Sequence, residues 1–421
     1  MNLMQDLKDF LDKSPTAWHA VDQMSERFIS IGFSQLDMKK AWTLKKGHKY
    51  FVPYGGALCA FILPFDIPKK GRIMAAHTDS PSLKLKPKSH FSRDDCHLIS
   101  IETYGSPIIN SWFNKDLGLA GKVFYKDNES VKEKLITLDK SPLIIPQLSI
   151  HLNQKGDLDT CKKEHLIPVL GLDHQTAHLN DFITDQTGIH SIIDSDLFLF
   201  PTEKASFLGY QKELIASHKI DNLFSCLAIC SALADQKETS ADQLNISVFW
   251  DHEEIGSRSL FGAEGPFLNE VLIRIFGTYG IDDEQASSFK ANSICLSIDM
   301  AQGVHPNYLE THDLLNRPLL GKGITLKYNA NKRYATESSV AALLIKTFQD
   351  LNLSHQTFST RHDMRCGSTV GPIIETSFGI PTVDIGCPQW SMHSTREVAS
   401  CADYLDLISF LTHFFNQDIT S

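Results

Sequence analysis

The sequence predicts a three-layer α/β fold interrupted by an inserted, mainly β segment. Three observations carry that reading. At 421 residues the chain exceeds what one simple core accommodates, so two domains are expected. Apolar runs of strand type alternate with segments of helical period before about residue 83 and again after Tyr210, the pattern of helices packed on a mostly parallel sheet. Between Leu83 and Tyr210 short strand-like runs dominate instead, separated by polar and proline-containing loops.

In chain order, residues 1–35 read mainly as helix, broken at Ser14-Pro15-Thr16, with Thr16 placed to cap the segment that starts Ala17-Trp18-His19. Lys49–Pro53 and Ala57–Leu63 form a hairpin around Tyr54-Gly55-Gly56. Arg72–Ala76 is a short buried strand running into His77-Thr78-Asp79-Ser80-Pro81. In the β segment, His97–Ile101 and Val123–Tyr125 read as strands and Asp157–Glu164 as a solvated loop. No repeat or low-complexity linker sets this segment apart, so it is expected to pack against its host. Beyond Tyr210, Asp221–Leu233 carries apolar residues at helical spacing. Asn245–Trp250 is a buried strand followed by Asp251-His252-Glu253-Glu254, and Ser293–Ile298 is another, ended by Asp299. Ser338–Leu351 reads as helix, Pro381–Gly386 as a last strand leading by a loop to Met392-His393-Ser394, and Tyr404–Phe415 as the closing helix.

Composition narrows the function. The chain is 42% hydrophobic and 21% charged, ordinary for a globular protein. A net charge of -10, with no basic stripe, zinc finger or glycine-rich phosphate loop, argues against nucleic acid as a partner. The start, Met1 to Leu11, carries acids and reads as an amphipathic helix, and no run is long and apolar enough to span a bilayer. A cytoplasmic protein without a membrane partner is the expectation. Nine scattered cysteines without a Cys-x-x-Cys pair suit a reducing compartment. Cys226 and Cys230, one helical turn apart, are explained by a shared helix face.

Five candidate metal ligands stand out: His77, Asp221, Glu254, Asp299 and His393. Three sit directly beyond apolar strand runs, His393 follows the last strand through a loop, and Asp221 lies at a helix start. Parallel strands of one sheet bring such ends to a common edge. Singly, each has a plainer reading: a surface His-x-Asp pair, a helix cap at Asp221, a turn residue at Asp299, a loop histidine at His393, a solvated Glu-Glu pair. Their coincidence at element ends is what favours chemistry. Two histidines and three carboxylates suit Zn²⁺, Mn²⁺ or Co²⁺, and five ligands exceed the need of one catalytic zinc. Two ions roughly 3.5–4 Å apart, sharing one carboxylate, use them economically, and can clamp a carbonyl and acidify bound water. Glu253, beside Glu254 but not needed as a ligand, fits a general acid/base. Asp79, two residues past His77, is placed to accept the other ring N–H of that histidine. His252 reads as structural.

The chain resembles the aspartyl aminopeptidase family of metallopeptidases, and most closely its bacterial members. The resemblance rests on motifs spread almost end to end: Phe10-Leu11-Asp12-Lys13-Ser14-Pro15, Ala76-His77-Thr78-Asp79-Ser80-Pro81, Trp112-Phe113-Asn114-Lys115-Asp116-Leu117, Ile150-His151-Leu152-Asn153 and Ile220-Asp221-Asn222. It continues through Asp251-His252-Glu253-Glu254-Ile255-Gly256-Ser257, Asp299-Met300-Ala301, Val304-His305-Pro306-Asn307-Tyr308, Arg333-Tyr334-Ala335-Thr336, Cys366-Gly367-Ser368-Thr369 and Met392-His393-Ser394-Thr395-Arg396-Glu397. It implies a dinuclear site bridged by Asp221, with His77 and Asp299 completing one position and Glu254 and His393 the other, and Glu253 as general base. It also implies a catalytic domain of residues 1–87 and 210–421, a β dimerisation domain at 88–209, and a homododecamer in which His151 reaches a neighbour's active site. Family positions near the substrate match His305, Lys327 and Tyr334, with Lys327 a cation for an acidic side chain. Asn114-Lys115, Gly105-Ser106-Pro107 and Lys219 depart from the family pattern, and none is a proposed ligand.

The resulting expectation is a metal-dependent aminopeptidase that hydrolyses the first residue of peptides with a free N-terminus, preferring Asp or Glu. The alternatives are a dinuclear amidohydrolase of N-acyl amino acids and a non-catalytic oligomeric scaffold. A cis bond is expected at Asp79-Ser80, by likeness to related dinuclear folds.

Overall fold

The computed structural model describes residues 2–152, 163–172, 178–236 and 241–416. Its centre is a nine-stranded sheet. The middle four strands run parallel in the spatial order Gln243–Trp250, Lys70–His77, Ile294–Ile298 and Thr382–Gly386. The expected hairpin, Lys49–Tyr54 and Ala57–Ile62, pairs antiparallel with Gln243–Trp250, and Ser34–Gln35 lies outside it. On the other flank, Ile324–Tyr328 runs antiparallel to Thr382–Gly386 and His355–Ser359 closes the edge.

The central strands are buried almost throughout because helices cover both faces. In Lys70–His77, Ile73 and Ala75 enter one core, shared with the helices Phe267–Tyr279, Asp283–Ala291 and Gly371–Phe378. Met74 and Ala76 enter the opposite core, shared with Leu3–Lys13, Ala17–Ser30, Ile220–Ala234, Ser338–Asp350 and Cys401–Asn416. Successive residues of a strand face opposite sides, so one run of small and branched residues feeds two cores. This is the three-layer arrangement expected from the sequence.

A second, six-stranded antiparallel sheet has the order Ser130–Leu143, Leu117–Asp127, Ile192–Pro201, Ser82–Arg93, Cys96–Tyr104, Val169–Leu172. It has its own core, in which Leu83, Leu119, Val123 and Leu197 pack with Ile183 of the helix Leu179–Thr187. A third sheet joins five very short strands: Ser206–Leu208, Leu214–Ser217, Glu397–Ser400, Pro388–Trp390 and Ala301–Gln302. It ties the chain before Asp221 to the chain after Asp299 and to both flanks of His393.

One local reading changes and another falls mostly outside the described residues. Thr16 occupies the cap position of Ala17–Ser30, but its hydroxyl pairs with the His19 ring at 2.8 Å and makes no cap bond. Of the polar stretch 157–164, residues 157–162 lie outside the described residues, and Lys163 and Glu164 begin a short 3-10 turn, Lys163–His165. Cys226 and Cys230 are buried free thiols on Ile220–Ala234. Among the described residues no helix is long and apolar enough to cross a membrane.

Candidate metal centre

The parallel strands deliver their last residues to one edge of the main sheet. His77 ends its strand, Asp299 follows Ile298, and Glu253 and Glu254 follow Trp250 in the 3-10 turn Glu253–Ile255. Asp221 comes from the start of Ile220–Ala234, and His393 from the loop between Pro388–Trp390 and Glu397–Ser400. His77 Nε2 stands 3.3 Å from Asp221 Oδ1 and 3.5 Å from Asp299 Oδ1. His393 Nε2 stands 3.7 Å from Asp221 Oδ2 and 3.4 Å from Glu254 Oε2. Asp221 therefore turns one oxygen to each histidine. Two sets of three groups, His77/Asp221/Asp299 and Asp221/Glu254/His393, each offer ligand atoms within 4.8 Å of one another; a third set joins His77 to Glu253 and Glu254.

The donor set fits divalent cations. Asp221 Oδ1, Glu254 Oε1 and Asp299 Oδ1 are buried and accept no hydrogen bond, an expensive state for carboxylates unless a cation meets them. Both imidazoles are tied at the far nitrogen. His77 Nδ1 donates to the Asp79 carbonyl at 3.0 Å and His393 Nδ1 to the Ser106 carbonyl at 3.2 Å, which directs each Nε2 lone pair at the carboxylates. Electrostatics point the same way. Burial, with Asp299 beside it, raises the Asp221 carboxyl. Burial, with Asp221 and Glu253, raises Glu254 well above its ordinary value. Burial pushes Glu253 up to about 8, with Asp299, Asp79 and Asp221 adding to the rise and His77 opposing it. Asp299 is the exception: burial would raise it, but Lys327 and His77 outweigh burial and hold it below the usual carboxylate range. Apart from Lys327, a cluster this rich in carboxylates holds little positive charge, and bound metal ions would supply more.

The surrounding residues correct some sequence expectations. Asp221 does not cap its helix; that position belongs to Lys219 at φ 68, and Asp221 itself has φ -80 and ψ 106. Among the described residues the non-proline cis bond is Asp221-Asn222, and Asp79-Ser80 is not cis. Asn222 and Ser80 brace this turn, Asn222 Nδ2 donating to the Ile298 carbonyl at 2.8 Å and Ser80 Oγ to the Asp221 carbonyl at 2.7 Å. Asp79 meets His77 Nδ1 chiefly through its main-chain oxygen, its carboxylate being 3.4 Å away. That carboxylate accepts the Tyr104 hydroxyl at 2.7 Å and the amides of Glu253 and Glu254, each at 3.1 Å. It orients the glutamate turn as much as the histidine. Burial pushes Asp79 up, but His77, Tyr104 and the Glu254 amide outweigh burial and hold it low.

Lys327 is 2% exposed, and its ammonium donates to the Met300 carbonyl at 2.7 Å and lies 3.4 Å from Asp299 Oδ2. Its charge faces a candidate ligand. Tyr334 is buried, its ring 5.5 Å from the Lys327 ammonium. His305 is half-buried and accepts the Asn307 amide at 3.2 Å. His151 lies in an exposed turn, with no hydrogen bond or ion pair to the cluster among the described residues. His252 Nδ1 pairs with Ser259 Oγ at 2.7 Å, a structural contact. Gly105, at φ +69, passes so close that a Cβ there would sit 3.2 Å from Glu254 Cβ. Sequence reasoning missed Tyr104, which comes from the second sheet, and Glu397, whose carboxylate accepts the amides of Asp221 and His393. Only the motif ending at Glu397 marked that residue in the sequence.

A model of the aminopeptidase I zinc metalloprotease family, M18, matches residues 10–415. A Streptomyces avermitilis protein described as a probable M18 family aminopeptidase 2 is 39% identical over 97% of this chain and 96% of its own length. One from Ectopseudomonas mendocina with the same description is 35% identical over 98% of each. The solved mApe1 dodecamer of S. cerevisiae is 26% identical and superimposes with a TM-score of 0.86, covering 98% of this chain and 96% of that one.

Proposed function

This chain belongs to the aminopeptidase I zinc metalloprotease (M18) family and is a metal-dependent aminopeptidase; from that premise we propose that it works with two divalent ions and prefers peptides that begin with Asp or Glu. The observation that carries the two-ion reading is Asp221, which faces a different histidine with each oxygen while Oδ1 accepts no hydrogen bond. His77, Asp221 and Asp299 would hold one ion and Asp221, Glu254 and His393 the other, most simply Zn²⁺, with Mn²⁺ or Co²⁺ also suited. When bound, the ions supply Lewis-acid polarisation of the first peptide carbonyl and acidify water.

The chain's own residues do the rest. Glu253 is the general base that takes a proton from the attacking water and passes it to the leaving amine. Its high proton affinity, set by burial among carboxylates, supports that role. Asp79, held by Tyr104, fixes the turn on which Glu253 and Glu254 stand. The acidic edge favours a substrate's free α-amine, which restricts cleavage to chain ends. Tyr334 and His305 contact substrate, and Lys327 holds Asp299 beside them.

Residues 1–87 with 210–421 form the catalytic domain and 88–209 the dimerisation domain, a division supported by the separate core of the second sheet, which also takes in Leu83 and Leu85 just ahead of residue 88. We further propose that the protein is cytoplasmic and assembles as a homododecamer, the solved S. cerevisiae mApe1 structure being a dodecamer, with His151 entering a neighbour's site. The apolar residues beside it, Ile150 at 81% and Leu152 at 70% exposure, support burial there by another copy. The deciding experiment strips the protein with chelator, restores Zn²⁺, Mn²⁺ or Co²⁺, and compares hydrolysis of peptides beginning with Asp, Glu, Leu and Ala, with N-acyl amino acids as a control. Faster hydrolysis of the acidic pair supports the preference; equal rates for Leu and Ala reject it, and faster hydrolysis of the N-acyl compounds rejects the peptidase reading.

A further inference from the structure

Glu397 opens the strand Glu397–Ser400 and is 1% exposed. Its Oε2 accepts the Asp221 N–H at 3.0 Å and its Oε1 the His393 N–H at 2.6 Å. The Ile220 amide lies against the same carboxyl. These are main-chain groups of residues whose side chains face one another across the candidate centre. Neither backbone is held by regular structure. His393 has φ +69, a region residues with a Cβ seldom adopt, and Asp221 has non-helical angles just past Lys219 at φ +68. Without Glu397 the buried Asp221 amide and the part-buried His393 amide would both lose their acceptor, a cost comparable with a lost hydrogen bond each. With both oxygens on amides, this carboxylate is not placed as a ligand.

We propose that Glu397 is a positioning residue that sets Asp221 against His393 and thereby tunes the affinity of the ion these two would share with Glu254. The proposal rests on the two-ion reading above. Glu397 does for Asp221 and His393 what the Asp79 carboxylate does for Glu253 and Glu254: one buried acid holds two amides and leaves the working side chains free. In Glu397→Gln the side-chain oxygen keeps one amide, while its NH₂ group confronts the other, donor against donor.

The test is calorimetric titration of the chelator-stripped full chain with Zn²⁺ alone, independent of turnover. Wild type takes up two ions, and the step lost in His393→Ala identifies the ion on Asp221, Glu254 and His393. Glu397→Gln weakens that step by ~10–100-fold, the range for residues that orient ligands, and weakens the other step, which it reaches through Asp221 alone, by less. Glu397→Asp, whose shorter carboxylate reaches one amide at a time, falls between. Wild type binding fewer than two ions removes the two-ion reading and this assignment with it. Two ions in wild type with both steps unchanged in the variant, or both weakened alike, overturns the assignment alone. If neither substitution folds, Glu397 is a folding residue and the assignment is likewise overturned.

Discussion

Replacing Lys327 with methionine probes the only positive side chain found at ion-pair distance from Asp299 among the described residues, apart from the His77 ring. Methionine keeps most of the buried stem and removes the ammonium, 3.4 Å from Asp299 Oδ2 and donating to the Met300 carbonyl. Removing one partner of a buried pair costs ~3–5 kcal/mol, since the other charge remains without compensation. The loss is predicted to be of that size in the metal-free protein at pH 7, and smaller after Zn²⁺ is restored, because a bound cation then faces Asp299. The pH dependence has a definite sign. Asp299 is held below its ordinary value, so its contribution is present above the unfolded carboxyl pKa of ~3.9 and is lost as pH falls through the folded value. Lys327→Met raises that folded value, so the difference between wild type and variant is full at neutral pH and shrinks in acid. Urea unfolding with chelator at pH 7 and at lower pH measures both. A difference below ~1 kcal/mol at pH 7 would refute the reasoning, since that is the size of an exposed pair. Substrate comparison adds a second check. Activity on Asp- and Ala-initiated peptides is expected to fall in proportion, and a loss confined to acidic substrates would show that the ammonium serves the pocket and not Asp299.

Three further outcomes follow from the same geometry. Glu253→Gln is expected to retain the wild-type metal uptake and to lose ~10²–10⁴-fold in kcat, the range for a general acid/base; near-wild-type turnover would remove Glu253 from that role. Tyr104→Phe deletes the 2.7 Å donor to Asp79 and is expected to cost ~1.5–3 kcal/mol, as for hydrogen bonds to charged groups, read as lower stability and kcat with KM nearly unchanged. In the chelator-treated protein, stability falls as pH rises from ~4 towards 8, because Glu253 and Asp251, both raised to about 8 by burial, and the raised Asp221 and Glu254 keep protons that the unfolded chain releases. Thermal melts across that window test it; Zn²⁺ is expected to flatten the slope, and a metal-free protein more stable at pH 8 than at pH 5 would contradict it.

The candidate ligands were legible because of how parallel strands are buried. Covered on both faces, such strands are mostly apolar runs, and the ligand-type residue that ends or follows each, His77 or Asp299, lies at the sheet's working edge. Strand order was not legible: nothing in Gln243–Trp250 announces that it separates the hairpin from Lys70–His77. The third sheet was invisible for a different reason. Strands such as Ala301–Gln302 are two residues long, below any periodic signal, although this sheet fixes both flanks of His393. Asp79 shows the limit of spacing arguments. Two residues along an extended chain put it on the right side of His77, but the main-chain oxygen took the ring N–H and freed the carboxylate for a turn far away in sequence.

Tyr104 and Ser106 lead to a conclusion about the insert. Tyr104 holds Asp79 at 2.7 Å, and the Ser106 carbonyl fixes the tautomer of His393 at 3.2 Å, while Gly105 between them passes against Glu254 where a side chain would crowd it. One short turn at the end of Cys96–Tyr104 thus touches the supports of both candidate ion positions. A segment retained only for assembly would have no reason to reach there. Because its turn supports candidate ligands supplied from outside the second sheet, shortening that turn is expected to disturb the candidate metal centre even where the second core, built around Leu83, Leu119 and Leu197, stays intact.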